Sequence, residues 1–188
     1  MNNPTIFVTI LASLVAISEV WLSMFKRAKS DTSTDQRSLR LIWRTIGISM
    51  VLGGFVAYLI PQAGFATKTT VYLIGPTIVM VGLILRWYAI LWLGKYFTVN
   101  VAIADDHKVI DTGPYRYMRH PSYTGTLLEF LGLAICFGNW LTMVVILAPI
   151  TWVFWRRISI EESALESALG KDYSDYMART KRLIPFIF

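Results

Sequence analysis

"YMRHPSYTGTLLEFLGLAICFGNWLTMVVILAPITWVFWRR", residues 117–157, opens with an arginine, a histidine, a proline and two tyrosines and then runs apolar to a basic pair. The only turn signal inside the apolar part is Gly138-Asn139-Trp140. The stretch therefore reads as two apolar helices, 122–138 and 140–156, joined by a tight turn. Each would be about 25 Å long at roughly 1.5 Å per residue, which leaves a locally thinned bilayer or a re-entrant hairpin open. Pro149 is expected to kink the second of them.

Working outward, three more apolar runs stand at 4–25, 43–61 and 70–94, so five spans are expected in all. Of 188 residues, 55% are hydrophobic and 16% charged, which fits a polytopic, all-α membrane bundle and leaves little for a soluble domain. The expected organisation is one unit over 1–188: a three-helix scaffold to residue 94, then a part from 95 to 188 with a loop, the helical hairpin and an amphipathic C-terminal helix. "SDTSTDQRS" (30–38) reads as a loop, and the amino terminus as a retained helix rather than a cleaved signal.

Cations follow span one (Lys26, Arg27, Lys29, Arg37, Arg40, Arg44), span three (Lys95, Lys108, Arg116, Arg119) and span five (Arg156, Arg157, Lys171, Arg179, Lys181, Arg182), while the opposite loops carry only Lys68. This bias predicts an outside amino terminus and a cytoplasmic carboxyl terminus. Because the cations flank apolar runs, the net charge of +6 points to lipid headgroups rather than nucleic acid. The single cysteine, Cys136, lies in an apolar run and reads as packing. Gly47/Gly54, Gly75/Gly82 and Gly125/Gly132 are seven apart, so each pair shares one helix face and lets neighbouring backbones approach. Glu19, Arg86 and Glu129 lie at similar depth inside spans, where an ion-paired cluster or the floor of a polar cavity is expected.

Chemistry can reside in two polar clusters. At the start of the 122–138 helix, Pro121 suits the first turn and His120 should lie just outside it, near the helix's positive end, with Ser122 and Tyr123 beside it. In the second cluster Arg157 and Glu161, four apart, share a face and form either a surface salt bridge or a cation and anion presented to one pocket. Glu162 and Glu166 share another face, which reads as solvated. No GxGxxG, P-loop, GxSxG or HExxH occurs, and Asp105, Asp106, His107 and Asp111 read as a solvated loop, so no metal is expected.

"LGKYFTVNV" (93–101), "DHKVIDTGPYRYMRHPSYTG" (106–125) and "EESALESALGKDYSDYMARTKRLIPF" (161–186) together resemble the isoprenylcysteine carboxyl methyltransferase family of integral membrane enzymes. The resemblance implies methyl transfer from S-adenosylmethionine to the C-terminal carboxylate of a prenylated cysteine. Carried over by position, it implies a cofactor wall of Asn100, His107, Lys108, Val109, Ile110, Tyr115, His120, Pro121, Ser122 and Tyr123. It also implies Glu161 on the cofactor's amino group and Arg157 facing the substrate carboxylate, with Arg157, Glu161 and His120 as the residues nearest the chemistry. Asn100 stands where the family often has glutamine. A phospholipid N-methyltransferase, an NADPH-dependent reductase of sterol type and a non-enzymatic membrane protein are the alternatives. The basic, apolar tail "KRLIPFIF" (181–188) is expected either to close the cofactor site or to adhere to the membrane. A compact chain without an endoplasmic-reticulum retention tail leans toward a prokaryotic inner membrane. Oligomeric state is left open.

Overall fold

The computed structural model describes residues 4–25, 33–99 and 108–185. They form six α-helices, α1 (Pro4–Phe25), α2 (Ser33–Leu59), α3 (Gly75–Leu93), α4 (Pro121–Phe137), α5 (Trp140–Leu169) and α6 (Lys171–Arg179). The described residues hold no strand, only two isolated bridge pairs, as an all-α reading requires. Arg37–Leu59, Thr70–Tyr96 and Trp140–Leu169 are long and apolar enough to cross a membrane, and α1 carries a shorter apolar helix, Ile6–Leu22. Large apolar side chains such as Ile10, Ile17, Phe55, Ile84 and Leu91 stand exposed around the outside. Exposed apolar surface on that scale suits a lipid solvent.

The opening hairpin forms as its turn signal predicts. Gly138 takes the left-handed conformation (φ 61°) that ends α4, and a Cβ there would lie 2.4 Å from Ala66. Asn139 then caps α5 by accepting from the Thr142 amide at 3.0 Å, while its own amide group donates to the Ile60 carbonyl at 2.8 Å. One residue thus starts α5 and pins the end of α2 to the same corner. α5 runs unbroken through Pro149 and past the end of the apolar span at 156 as far as Leu169, so Arg157 and Glu161 lie on its helical continuation. α2 likewise begins at Ser33, so part of the stretch read as a loop is helical.

Two of the three glycine pairs make the α3–α4 seam. These antiparallel helices touch backbone to backbone: a Cβ at Gly82 would meet the Gly125 carbonyl at 2.6 Å, and one at Gly132 the Gly75 carbonyl at 2.5 Å. The third pair is corrected. Gly47 and Gly54 have nothing within 4 Å of a Cβ, and it is Gly53 that packs, its Cβ position 2.7 Å from Ile146 on α5. The contact face of α2 is set by where α5 lies, which spacing within α2 does not reveal. Cys136 is buried in the seam, as expected.

Elements alternate direction, so one end of the bundle collects the start of α2, residues 94–99 and 108–120, the start of α4, the extension of α5, and α6. This end is also the basic end. α1 leans on α4 and the wide turn Thr70–Ile74, whereas α2 packs on α5. Between α1 and α2 lies the space that becomes the site.

Candidate active site

A cavity of about 940 Å³ occupies that space, at the upper end of the range for small-molecule sites. Its lining changes character along its length. Near the basic end it carries Arg86, Lys108, Arg119, His120, Arg157 and Glu161; toward the opposite end it carries Val8, Ala12, Met50, Gly54, Leu133 and Phe137. Trp43 and Tyr58 of α2 line it and are themselves exposed, so the recess opens on the α1–α2 flank.

The two clusters that were far apart in sequence meet here. Tyr123, in the first turn of α4, donates its hydroxyl to Glu161 Oε2 on α5 at 2.8 Å. Arg157, one turn before Glu161, is only 2% exposed and donates from Nη1 to Ser38 Oγ at 2.5 Å and from Nη2 to the Val99 carbonyl at 2.8 Å. Its guanidinium is thereby fixed at a cavity wall. A surface salt bridge, the simpler reading of the Arg157/Glu161 spacing, is excluded by that burial.

Of the positions expected on the cofactor wall, Lys108, Val109, Ile110, Tyr115, His120, Ser122, Tyr123 and Glu161 line the cavity. Pro121 does not: it is buried in the first turn of α4, where its fixed φ starts the helix. Asn100 and His107, with Asp105 and Asp106, lie outside the described residues. Asp111 pairs with Arg179 at 2.7 Å, and no cluster of metal-ligating side chains exists among the described residues.

Glu162, expected on a solvated face, is instead buried at 5% exposure. Its Oε1 accepts from Arg119 Nε at 2.8 Å and lies 3.2 Å from His120 Nε2, and its Oε2 is 2.7 Å from Arg182 Nη2. Arg119 also donates to the carbonyls of Met177 and Thr180. The tail lies against the arginine-histidine turn: the amides of Arg119 and His120 donate to the carbonyls of Lys181 (2.8 Å) and Arg182 (3.0 Å), and Thr124 Oγ1 donates to Leu183 O at 2.8 Å. Residues 181–183 are therefore strapped across the start of α4. Glu166, Glu162's helix-face neighbour, is exposed as expected.

Tyr176 donates to the Tyr115 carbonyl at 2.7 Å, and Tyr115 to the Ala89 carbonyl at 3.3 Å. Burial raises the phenols of Tyr115, Tyr173 and Tyr176, so each keeps its proton as a hydrogen-bond donor. Deeper in, Arg86 pairs with Glu19 at 2.6 Å and donates to Thr126 Oγ1 and to Ser122 O at 3.3 Å. Glu129 is not part of that pair. It is fully buried behind Gly82, and neither of its oxygens accepts a hydrogen bond among the described residues.

These features define an integral membrane protein whose helices surround a cavity, charged at one end and apolar at the other. The family model for isoprenylcysteine carboxyl methyltransferases matches residues 74–167, half of the chain. The chain belongs to that family. A protein-S-isoprenylcysteine O-methyltransferase of Tribolium castaneum is 37% identical over 117 residues, covering 61% of this chain and 41% of that protein. A probable enzyme of the same name from Oryza sativa subsp. indica is 33% identical over 116 residues, 61% of either chain. The structure of a eukaryotic intramembrane Ras methyltransferase, an isoprenylcysteine carboxyl methyltransferase, superposes with a TM-score of 0.70 at 28% identity, covering 100% of this chain and 69% of that one. The matches thus span 61% or less of the length of these two curated relatives.

Proposed function

We propose that this protein transfers the methyl group of S-adenosylmethionine to the C-terminal carboxylate of a prenylated cysteine, or a similar lipophilic carboxylate, at the cytoplasmic membrane face. One observation carries the reading: a fixed cation, Arg157, and an anion, Glu161, share the wall of a cavity that is apolar at its far end and opens on the α1–α2 flank. The donor set fits the cofactor. Glu161, held by Tyr123, suits an ammonium group, and the wall from Lys108 through Ile110 with Tyr115, His120 and Ser122 suits an adenosine. S-adenosylmethionine bound there would supply an electrophilic methyl on a sulfonium.

The protein's own residues then have little proton chemistry to perform. A carboxylate is already a nucleophile, so no side chain has to remove a proton, consistent with the lack of a familiar hydrolase triad. Arg157 orients the acceptor through charge-assisted bonds. The apolar lining strips water from an anion whose charge disappears on reaction, and alignment plus dehydration supply much of the barrier reduction. A soluble cofactor enters at the basic end, while a prenyl chain slides in from the bilayer. The cation bias supports a cytoplasmic position for that end and for the carboxyl terminus, with the amino terminus outside. The prokaryotic inner-membrane expectation gains nothing from the relatives named above, which are eukaryotic.

The competing acceptor is a phospholipid amine, whose methylation needs a proton acceptor. Protein in nanodiscs, given labelled S-adenosylmethionine with N-acetyl-S-farnesylcysteine and phosphatidylethanolamine side by side, is expected to form a base-labile methyl ester. Label found only as base-stable N-methyl lipid would refute the reading.

A further inference from the structure

Building on that reading, we infer that Gly54 sets the length of prenyl chain the cavity admits and admits a twenty-carbon chain. α2 lines the cavity with the stripe Leu39, Ile42, Ile46, Met50, Gly54 and Ala57, each about one turn from the next, flanked by Trp43 and Tyr58, and Gly54 is the only one of these without a side chain. The position of the acceptor carboxylate along this stripe is fixed by Arg157, whose Nη1 is bonded to Ser38 on the same helix. From Ser38 to Gly54 is about 24 Å at roughly 1.5 Å per residue. An extended chain advances roughly 1.25 Å per bond of about 1.5 Å, so a farnesylcysteine reaches about 19 Å beyond its carboxyl carbon and a geranylgeranylcysteine about 24 Å. The fourth isoprene unit therefore ends beside Gly54, and the third stops short of it.

Gly54 lines the cavity and has room for a side chain. A Cβ there has no atom within 4 Å. At the neighbouring Gly53 it would strike Ile146 at 2.7 Å, so the two glycines of "GG" serve different ends: one is small for packing and the other keeps the recess deep. Gly47, exposed on α2 and outside the cavity lining, has equally open space and supplies a matched control.

The test compares kcat/KM for N-acetyl-S-geranylgeranylcysteine and N-acetyl-S-farnesylcysteine in the unsubstituted protein, Gly54→Leu and Gly47→Leu. A leucine projecting into the recess is expected to lower the geranylgeranyl-to-farnesyl ratio by about tenfold or more, with farnesyl turnover kept. Gly47→Leu is expected to leave the ratio unchanged, and both variants to melt within a few degrees of the parent. An unchanged ratio in Gly54→Leu would mean that the chain leaves through the α1–α2 flank before reaching this point, and overturns the inference. Equal loss of both acceptors overturns it as well. If the unsubstituted protein methylates neither prenylcysteine, the functional reading itself fails and takes this inference with it.

Discussion

The α3–α4 seam and the α1–α2 flank are built from the same residue types to opposite ends. In the seam, Gly75, Gly82, Gly125 and Gly132 put two backbones in contact, and a single added Cβ would collide with carbonyl oxygens. On the flank, Gly54 and the alanines face open volume. Small residues thus close one side of the bundle and hold the other side open. The seam sets the start of α4, and with it Tyr123 and His120, against α3; the flank leaves room for a ligand.

The largest effect expected from this contrast is at Gly132. Gly132→Leu puts a branched side chain against the Gly75 carbonyl and Val79, and its cost should exceed the ~1–3 kcal/mol of ordinary overpacking because backbone cannot yield as a side chain does. Loss of monodisperse protein in detergent would bear this out, and normal melting would show that the seam is not rigid.

Next comes the polar hub behind the cavity. Glu162→Ala leaves the half-buried Arg119 and the buried His120 without their carboxylate and should cost about 3 kcal/mol, whereas Glu166→Ala on the exposed face should stay within about 0.5 kcal/mol. Comparable denaturation midpoints for the two would refute the hub. A smaller loss is expected for Arg86→Met, which leaves Glu19 unpaired beside the cavity: about 1–3 kcal/mol, read as a lower melting temperature in detergent. Unchanged melting would mean that the pair contributes nothing.

The difference between the two acidic neighbours also shows what local spacing can and cannot reveal. Arg157 and Glu161 were legible because four residues is one helical turn, and the α4–α5 corner was legible because Gly138 and Asn139 each have one strong local preference. Two glycine pairs were legible for a similar reason, since backbone contact tolerates little else. Glu162 was not. Its face is decided by Arg119, more than forty residues earlier, and by Arg182, twenty residues later, and no local pattern announces that a tail will fold back to meet them. Gly54 was misread for the same reason: its role depends on what stands across from it, and what stands across from it is a cavity.

Substituting Arg157 and Glu161 in turn tests most directly the proposed division of the cavity into an acceptor end and a donor end. Binding of S-adenosylhomocysteine by calorimetry and kcat/KM for prenylcysteine would be measured on folded Arg157→Ala and Glu161→Ala proteins. The first should lose about a hundredfold in acceptor kcat/KM while holding its nucleoside affinity within about threefold, and the second should lose nucleoside affinity foremost. Equal losses in both measurements for both variants would contradict the division of the cavity into two ends.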